Sequence, residues 1–320
     1  MRLESRRASA DGAAFNNAAP LLQIVPQSTG ARPLLVRPRS PETRTPERLW
    51  HHYQVETVLA AKLRRANRRE RMHLYSEIYD AVFAQVPDHP MLRLRPDGES
   101  TRDIAPQLAF LKRFLGRDEV FMEIGPGDCE LSFAVCKGAR HVHAIDVTDK
   151  VLQRRALPEN FQLTLSDGCN IPLPDASVDV AFSNQLMEHL HPDDAIEQLR
   201  HISRALAPGG RYVCITPNRL YGPRDISEYF DEVATGLHLK EYTIGELAAL
   251  FFAADFDRVA VYAGARGWYL RCPLWIARTV EQVLQRLPYR WRKSTVDNAP
   301  MRAFLGIRIV GFKAGSGVAL

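Results

Sequence analysis

The sequence has few cysteines, and they do not occur at spacings that bind metals. Their number, five, is odd, and no C-x-x-C motif is present. This pattern is typical of reduced, mostly buried thiols rather than of a disulfide framework or a zinc site. We therefore expect a cytosolic protein without structural zinc, whose thiols are Cys129, Cys136, Cys169, Cys214 and Cys272.

Long apolar runs are also missing. No stretch reaches the roughly 20 consecutive apolar residues that a membrane-spanning helix needs. The N-terminus carries arginines but lacks the continuous apolar segment of a secretory signal. These absences favour neither a transmembrane nor a secreted protein.

The composition is otherwise that of an ordinary globular protein with a basic excess. The 320 residues are 46% hydrophobic and 25% charged, which suits one large α/β domain with extensions. The net charge of +5 and the pI near 9.0 permit contact with nucleic acid, acidic glycans or an anionic membrane surface. They require none of these partners.

Three regions follow one another along the chain. Residues 1–46 are rich in Arg, Ser, Pro, Ala and Thr. Such a segment cannot bury enough apolar surface to fold, so we expect a disordered tail. Residues 47–100 predict an N-terminal helical region, a helix with apolar residues at four-residue spacing that ends at Pro87. Residues 101–320 predict the main domain, with a helical insertion at 264–304 before the last strand.

The helical region contains a basic run at residues 62–71. Its arginines fit a solvated helix face paired with nearby acids, or a cationic cap that receives a phosphorylated or acidic substrate. A nucleic-acid patch is disfavoured because no aromatic residues are interleaved with the basic ones.

A glycine turn after the first predicted strand is the most informative stretch. The apolar run Val120–Ile124 ends in Gly125-Pro-Gly127, and the next apolar run ends in Asp146. Glycines allow a sharp turn and close approach of a ligand, and an acid about 20 residues later suits ribose hydroxyls. The third glycine of a dinucleotide site is missing, because Glu130 stands there and would repel a pyrophosphate. The pattern favours an adenosyl ligand and disfavours NAD.

Polar residues follow two further predicted strands. Asp167 comes just after Phe161–Leu165, where a carboxylate could accept a hydrogen bond from the adenine amine, although a simple turn aspartate would look the same. Asn184 and Gln185 follow the fourth strand. Between the second and third strands, Val147–Leu157 predicts a short helix.

In this order the motifs resemble those of the class I S-adenosylmethionine-dependent methyltransferases. Glu123-Ile-Gly-Pro-Gly127 is similar to their motif I and Asp146 to their motif II acid, while Asp167–Asp175 is similar to their D-A-x-x-L-P-F-x-D segment. Strings within residues 179–212 resemble the small-molecule, type 11-like branch, and the resemblance covers about residues 120–216. It implies S-adenosyl-L-methionine as cofactor, bound by Glu123, Gly125, Gly127, Asp146, Val147, Asp167, Gly168, Asn184 and Gln185.

The resemblance also implies a fold. We expect an α/β architecture, a Rossmann-like doubly wound sheet of seven strands, mostly parallel with the last strand antiparallel. Val259–Tyr262 predicts the sixth strand and Leu305–Phe312 the seventh. Ser183–Leu186 lacks the D/N-P-P-Y/F motif of enzymes that methylate nucleobase amines, so a nucleic-acid substrate is not expected.

Candidate acceptor-side residues lie beyond the fourth strand. His189 and His238 could each act as a general base toward a hydroxyl acceptor, or could form only structural hydrogen bonds. Tyr221, Arg224 and Asp225 are candidate substrate-binding residues in the loop after the fifth strand. The pair His189 and His191 has no third ligand at a suitable spacing, so no metal is expected.

These observations predict a methyltransferase acting on a small or carrier-linked molecule, with an oxygen of a glycan or secondary metabolite as first choice. Trp268, Trp275 and Trp291 lie among arginines in the insertion, which leaves open a quinone or lipid-like acceptor and peripheral membrane contact. A catalytically inactive, cofactor-binding scaffold is the remaining alternative. The sequence leaves the oligomeric state open.

Overall fold

A computed structural model describes residues 42–92, 103–150, 152 and 156–315. Nearly all of the predicted disordered tail, residues 1–46, lies outside these ranges. Residues 93–100 of the predicted helical region also lie outside them. Within the described ranges, no helix combines the length and apolar character needed to cross a membrane.

One eight-stranded sheet forms the centre of the described structure, in the order β3-β2-β1-β4-β5-β8-β6-β7. Strands β1 to β5 pair in parallel. Strand β8 runs antiparallel between β5 and β6, and β7 pairs antiparallel with β6. The strands are β1 (Val120–Ile124), β2 (His141–Asp146), β3 (Phe161–Leu165), β4 (Val178–Asn184), β5 (Leu206–Thr216), β6 (Arg258–Ala265), β7 (Trp268–Cys272) and β8 (Ile307–Phe312).

Helices cover both faces of this sheet. Met122 and Phe121 are consecutive and fully buried, and they point to opposite faces because side chains alternate along a strand. Met122 packs in a cluster with α1, α2, α5 and α6, whereas Phe121 packs with α3 and α4. The helices are α1 (Pro46–Arg65), α2 (Arg68–Gln85), α3 (Ala105–Leu111), α4 (Glu130–Cys136), α5 (Pro192–Ala205), α6 (Ile244–Ala253), α7 (Leu274–Gln285), α8 (Tyr289–Val296) and α9 (Ala299–Leu305).

The α/β class, the mostly parallel sheet and the antiparallel last strand are confirmed, but the strand count is eight rather than seven. The additional strand is β7, which follows β6 through a tight turn at Arg266 and Gly267, both with positive φ. The insertion at 264–304 therefore begins with a β-hairpin, and helices α7 to α9 follow.

Two helix predictions are corrected. The described residues between Val147 and Leu157 form no helix, because local side chains bind the backbone there. The Asp146 carboxylate accepts from the N–H groups of Val147 and Thr148 at 2.7 and 3.3 Å. Before Pro87, the described residues form two helices rather than one, since Asn67 starts α2 with its own side-chain cap.

The basic run attaches this helical region to the main domain. Arg71 is buried and donates two hydrogen bonds, of 2.6 and 2.7 Å, to the carboxylate of Asp194 on α5. Arg68 pairs with Glu197. Arg64 donates to the carbonyl oxygens of residues 235, 236 and 238. These contacts favour the pairing interpretation of the run over a cationic cap.

Candidate functional site

A cavity of about 640 Å³ opens at the carboxyl edge of the parallel strands. It lies where β1 meets β4, the point at which the strand order reverses and ligands bind in open α/β sheets. Four successive strand ends contribute residues to its wall: Gly125 after β1, Asp146 in β2, Ser166 after β3 and Asn184 in β4.

The glycine turn brings backbone close to this cavity. Gly125 and Gly127 have φ values of +67° and +58°, a region that favours glycine. A Cβ on Gly125 would lie 3.1 Å from Cδ1 of Leu186, so a larger residue would crowd the turn. The turn is fixed to the neighbouring strand, since the Gly125 N–H donates to the Ile145 carbonyl at 2.8 Å.

Asp146 lies beside the turn and lines the same cavity. Burial raises the pKa of its carboxyl group, and backbone N–H groups from Val147, Gly127 and Thr148 oppose that rise. The N–H of Gly127 donates to Asp146 Oδ2 at 3.3 Å. The carboxylate thus links the end of β2 to the glycine turn.

Most of the predicted cofactor-binding residues meet at this cavity, but two do not line it. Glu123 is buried behind the turn, where the Ser132 hydroxyl donates to its carboxylate at 2.6 Å. Asp167 accepts from the N–H groups of Cys169 and Asn170 in its own turn. The residues that line the cavity are Gly125, Gly127, Asp146, Val147, Gly168, Asn184 and Gln185.

The opposite wall of the cavity comes from α1, α2 and residues 224–238. Glu56 of α1 lies at the centre of a group of charged side chains there, and the sequence patterns did not identify it. Arg44 Nη1 lies 2.7 Å from His52 Nδ1. Because a guanidinium only donates, His52 Nδ1 accepts, and Nε2–H donates to Glu56 at 2.7 Å. Burial raises the pKa of Glu56, but His52 and the N–H of Leu237 outweigh it and lower that pKa to about 2.

His189 lines the cavity with one unprotonated nitrogen. Its Nδ1 lies 3.1 Å from the carbonyl oxygen of Leu237. A carbonyl can only accept, so Nδ1 carries the proton and Nε2 keeps a free lone pair. Burial lowers the pKa of His189 to about 3, so the imidazole is neutral at physiological pH.

His238 lines the same cavity but is positively charged, whereas His189 is neutral. Burial lowers its pKa, but a 2.7 Å hydrogen bond to Glu241 and the nearby carboxylates of Glu188 and Asp225 raise it to about 9. His238 is therefore an imidazolium at neutral pH. Glu241 also accepts from the backbone N–H of Arg224 at 2.7 Å, which fixes the adjoining loop.

The candidate substrate residues divide between two pockets. Arg224 and Asp225 line the main cavity. Tyr221 lines a smaller neighbouring pocket of about 220 Å³ and donates from its hydroxyl to the Arg302 carbonyl at 2.8 Å. Gln185 and Arg224 line both pockets, so the two spaces adjoin.

Two groups of side chains in the described ranges have potential metal-binding atoms within 4.8 Å of one another, namely His52 with Glu56 and His89, and Glu188 with His189 and His238. In the first group both nitrogens of His52 are already hydrogen-bonded. In the second, Thr216 donates to Glu188 at 2.7 Å. The expectation of no metal stays a prediction.

Comparison with known proteins gives a match over strands β1 to β5. A family model described as a methyltransferase domain matches residues 122–214. These residues run from β1 into β5 and include the glycine turn, Asp146 and His189. The match therefore falls on the elements that build the sheet-edge wall of the cavity.

Two relatives match over stretches of 157 and 151 residues. One from Mycolicibacterium smegmatis, named a probable S-adenosylmethionine-dependent methyltransferase, is 31% identical over 157 residues, 48% of this chain and 58% of the relative. One from Mycobacterium tuberculosis with a similar name is 30% identical over 151 residues, 47% of this chain and 53% of the relative. The chain thus spans little more than half the length of these relatives. The solved YcgJ protein of Bacillus subtilis, 15% identical, covers 66% of this chain and 99% of its own length at a TM-score of 0.43.

Proposed function

We propose that this chain, whose residues 122–214 match a methyltransferase-domain family model, uses S-adenosyl-L-methionine to methylate an oxygen of a small or carrier-linked acceptor. A glycan or secondary metabolite is the acceptor class we favour. The observation that carries this proposal is the free Nε2 lone pair of His189 in a cavity that also contains the glycine turn and Asp146.

The residues of the sheet edge fit the cofactor. Gly125 and Gly127 hold the turn at positive φ beside the cavity, and the Asp146 carboxylate can accept from ribose hydroxyls. When bound, S-adenosyl-L-methionine supplies a methyl group on a positively charged sulfur. Asn184 and Gln185 would hold its amino-acid end. The main task left to the protein is to align the acceptor with that methyl group.

His189 would serve as the general base. A hydroxyl acceptor must lose its proton as its oxygen gains a methyl group, and a neutral imidazole can take that proton at Nε2. Burial and the neighbouring His238 imidazolium disfavour a protonated His189, and the carboxylate of Glu56 would offset part of that cost. The hydrogen bond from Nδ1 to the Leu237 carbonyl would keep Nε2 aimed at the acceptor.

The experiment that tests this function is a turnover assay. The full chain, S-adenosyl-L-methionine and a panel of glycosides, phenols and polyols would be incubated, and formation of S-adenosylhomocysteine followed. Turnover with a hydroxyl acceptor supports the proposal. Cofactor binding without turnover on any acceptor would instead support the non-catalytic scaffold.

A second candidate function is methylation of a quinone or lipid-like acceptor at a membrane surface. The side chains of Trp268, Trp275 and Trp291 are 85%, 70% and 71% exposed. Residues 264–304 contain eight Lys and Arg against two acids, a combination that suits an anionic membrane interface. Co-sedimentation with anionic vesicles tests this function. The wild type should bind the vesicles, and a Trp268→Ala, Trp275→Ala double variant should lose that binding.

A further inference from the structure

The smaller pocket beside the main cavity is unusually rich in arginine. Arg224, Arg302 and Arg308 line it, together with Tyr221, and no Asp or Glu is among its lining residues. The three arginines come from different elements: the loop after β5, helix α9 and strand β8. The fold, rather than local sequence, brings these three positive charges to one space.

The phenol of Tyr221 lies within reach of all three charges. Burial raises the pKa of Tyr221, and the guanidinium groups of Arg308, Arg224 and Arg302 each act to lower it. All three arginines and Tyr221 line the same pocket.

Within the described ranges, one of these three charges is closely paired with an acid and the other two are not. Arg302 pairs with Asp297 outside the pocket. The nearest carboxylate contact of Arg224 is a loose one of 3.9 Å to Glu228, with both side chains substantially exposed. Arg308 forms no ion pair within the described ranges and instead lies over the Tyr269 ring at 5.4 Å. Guanidinium groups that line one pocket repel one another, and an anion bound among them relieves that repulsion.

We propose that this pocket binds the anionic group of the methyl acceptor, a phosphate or carboxylate, beside the site of methyl transfer. The inference rests on the proposed function and adds a substrate class to it. Arginine suits such oxyanions because its planar fork donates two parallel hydrogen bonds. Arg224 and Gln185 line both spaces, so an acceptor with its anion here could extend into the main cavity.

The test is calorimetric titration of the full chain with inorganic phosphate and, separately, with S-adenosyl-L-methionine. Arg308→Gln is the informative variant, because Arg308 lines only the smaller pocket. Arg290→Gln is the control, since it removes the same charge from an exposed position on α8 that lines neither pocket. Arg308→Lys keeps the charge without the fork, and unfolding temperatures show whether each variant is folded.

We expect Arg308→Gln to weaken phosphate binding by about 10-fold or more while cofactor affinity stays within about 2-fold of wild type. Arg308→Lys should fall between, and Arg290→Gln should match wild type. Absence of phosphate binding by the wild type, or an equal loss in Arg290→Gln, would overturn the inference. If the wild type did not bind S-adenosyl-L-methionine, the proposed function would be overturned instead.

A further arm distinguishes the source of the anion. Vesicles containing phosphatidic acid present the phosphate on a lipid, whereas phenyl phosphate presents it on a small soluble molecule. Phenyl phosphate competing with inorganic phosphate at the Arg308 site supports a soluble acceptor. Vesicle binding that falls in Arg308→Gln but not in Arg290→Gln supports a lipid-linked one.

Discussion

The imidazoles of His189 and His238 lie edge to face, with their ring centroids 4.7 Å apart and an interplanar angle of 85°. At neutral pH His189 is uncharged and His238 is an imidazolium, because the pKa of His189 is lowered to about 3 and that of His238 is raised to about 9. His189 has a carbonyl partner, whereas His238 faces the carboxylates of Glu241, Glu188 and Asp225. Environments that separate two pKa values in this way are a means of assigning acid and base roles.

The charge of His238 predicts a loss of stability at alkaline pH. Its folded-state pKa lies above the ordinary value of 6.5, so its contribution is complete below that pH and disappears as pH rises through about 9. We expect the free energy of unfolding to fall by about 1 to 3 kcal/mol across this window. Urea unfolding at a series of pH values from 6 to 10 measures it.

His238→Gln should flatten this pH dependence, because the variant has no imidazolium to lose. His73→Gln is the matched control, since His73 is exposed on α2, and it should retain the wild-type profile. If His238→Gln kept the same alkaline loss of stability, the assignment of a buried imidazolium would be wrong.

Removal of His189 should affect turnover rather than cofactor binding. A positioned general base typically contributes about 10²- to 10⁴-fold to rate, and the low pKa of His189 makes it a weak base, so His189→Ala should lower kcat by about 10²-fold, the lower end of that range. The Kd for S-adenosyl-L-methionine should change little. His201→Ala, which removes a histidine outside the cavity, should have near wild-type kcat. An unchanged kcat in His189→Ala would show that the acceptor needs no base from this residue.

The buried pair of Arg71 and Asp194 predicts a large stability effect. Both side chains are buried, and the Tyr75 hydroxyl also donates to Asp194 at 2.8 Å. Arg71→Ala would leave a buried carboxylate without its cation, at a cost of about 3 to 5 kcal/mol. Arg68→Ala breaks an exposed pair and should cost no more than about 1 kcal/mol. Equal losses in urea unfolding would contradict the attachment of α2 through Arg71.

A side chain at position 168 should clash with Tyr75, which also lines the cavity. Its φ is +85°, and a Cβ there would lie 2.9 Å from Cδ2 of Tyr75 on α2. Gly168→Ala should therefore cost about 1 to 3 kcal/mol and weaken cofactor binding, because both residues line the cavity. At Gly138 an added Cβ would meet nothing within 4 Å, so Gly138→Ala should be nearly neutral. Thermal unfolding and calorimetry compare the two.

The sequence predicted the first four strands well because each is a short apolar run or ends at a polar or glycine signal. Their order along the chain was enough to place Gly125, Asp146 and Asn184 at one edge. Strand β7 was missed because it is an edge strand with two exposed apolar residues, Trp268 and Leu270, and so lacks the pattern of a buried strand. The α1–α2 break was missed because both sides of it continue the helical spacing.

The opposite wall of the cavity could not be predicted in this way. Glu56 accepts from the N–H of Leu237, a residue 181 positions later. No local period encodes that contact, since it depends on how the N-terminal helices pack over the loop after β5. Glu123 was recognised from its position in the glycine motif and predicted to bind the cofactor. Its carboxylate instead lies behind the turn, where it accepts a hydrogen bond from Ser132.

The most direct test of the central claim is calorimetric titration of the full chain with S-adenosyl-L-methionine, beside the Asp146→Ala variant. We expect saturable binding by the wild type, and about 10- to 100-fold weaker binding by Asp146→Ala, because a lost hydrogen bond to a charged group costs about 1.5 to 3 kcal/mol. Asp175→Ala, at an exposed position outside the cavity, should bind as the wild type does. No binding by the wild type, or equal affinity in Asp146→Ala, would contradict the assignment of this cavity to the cofactor.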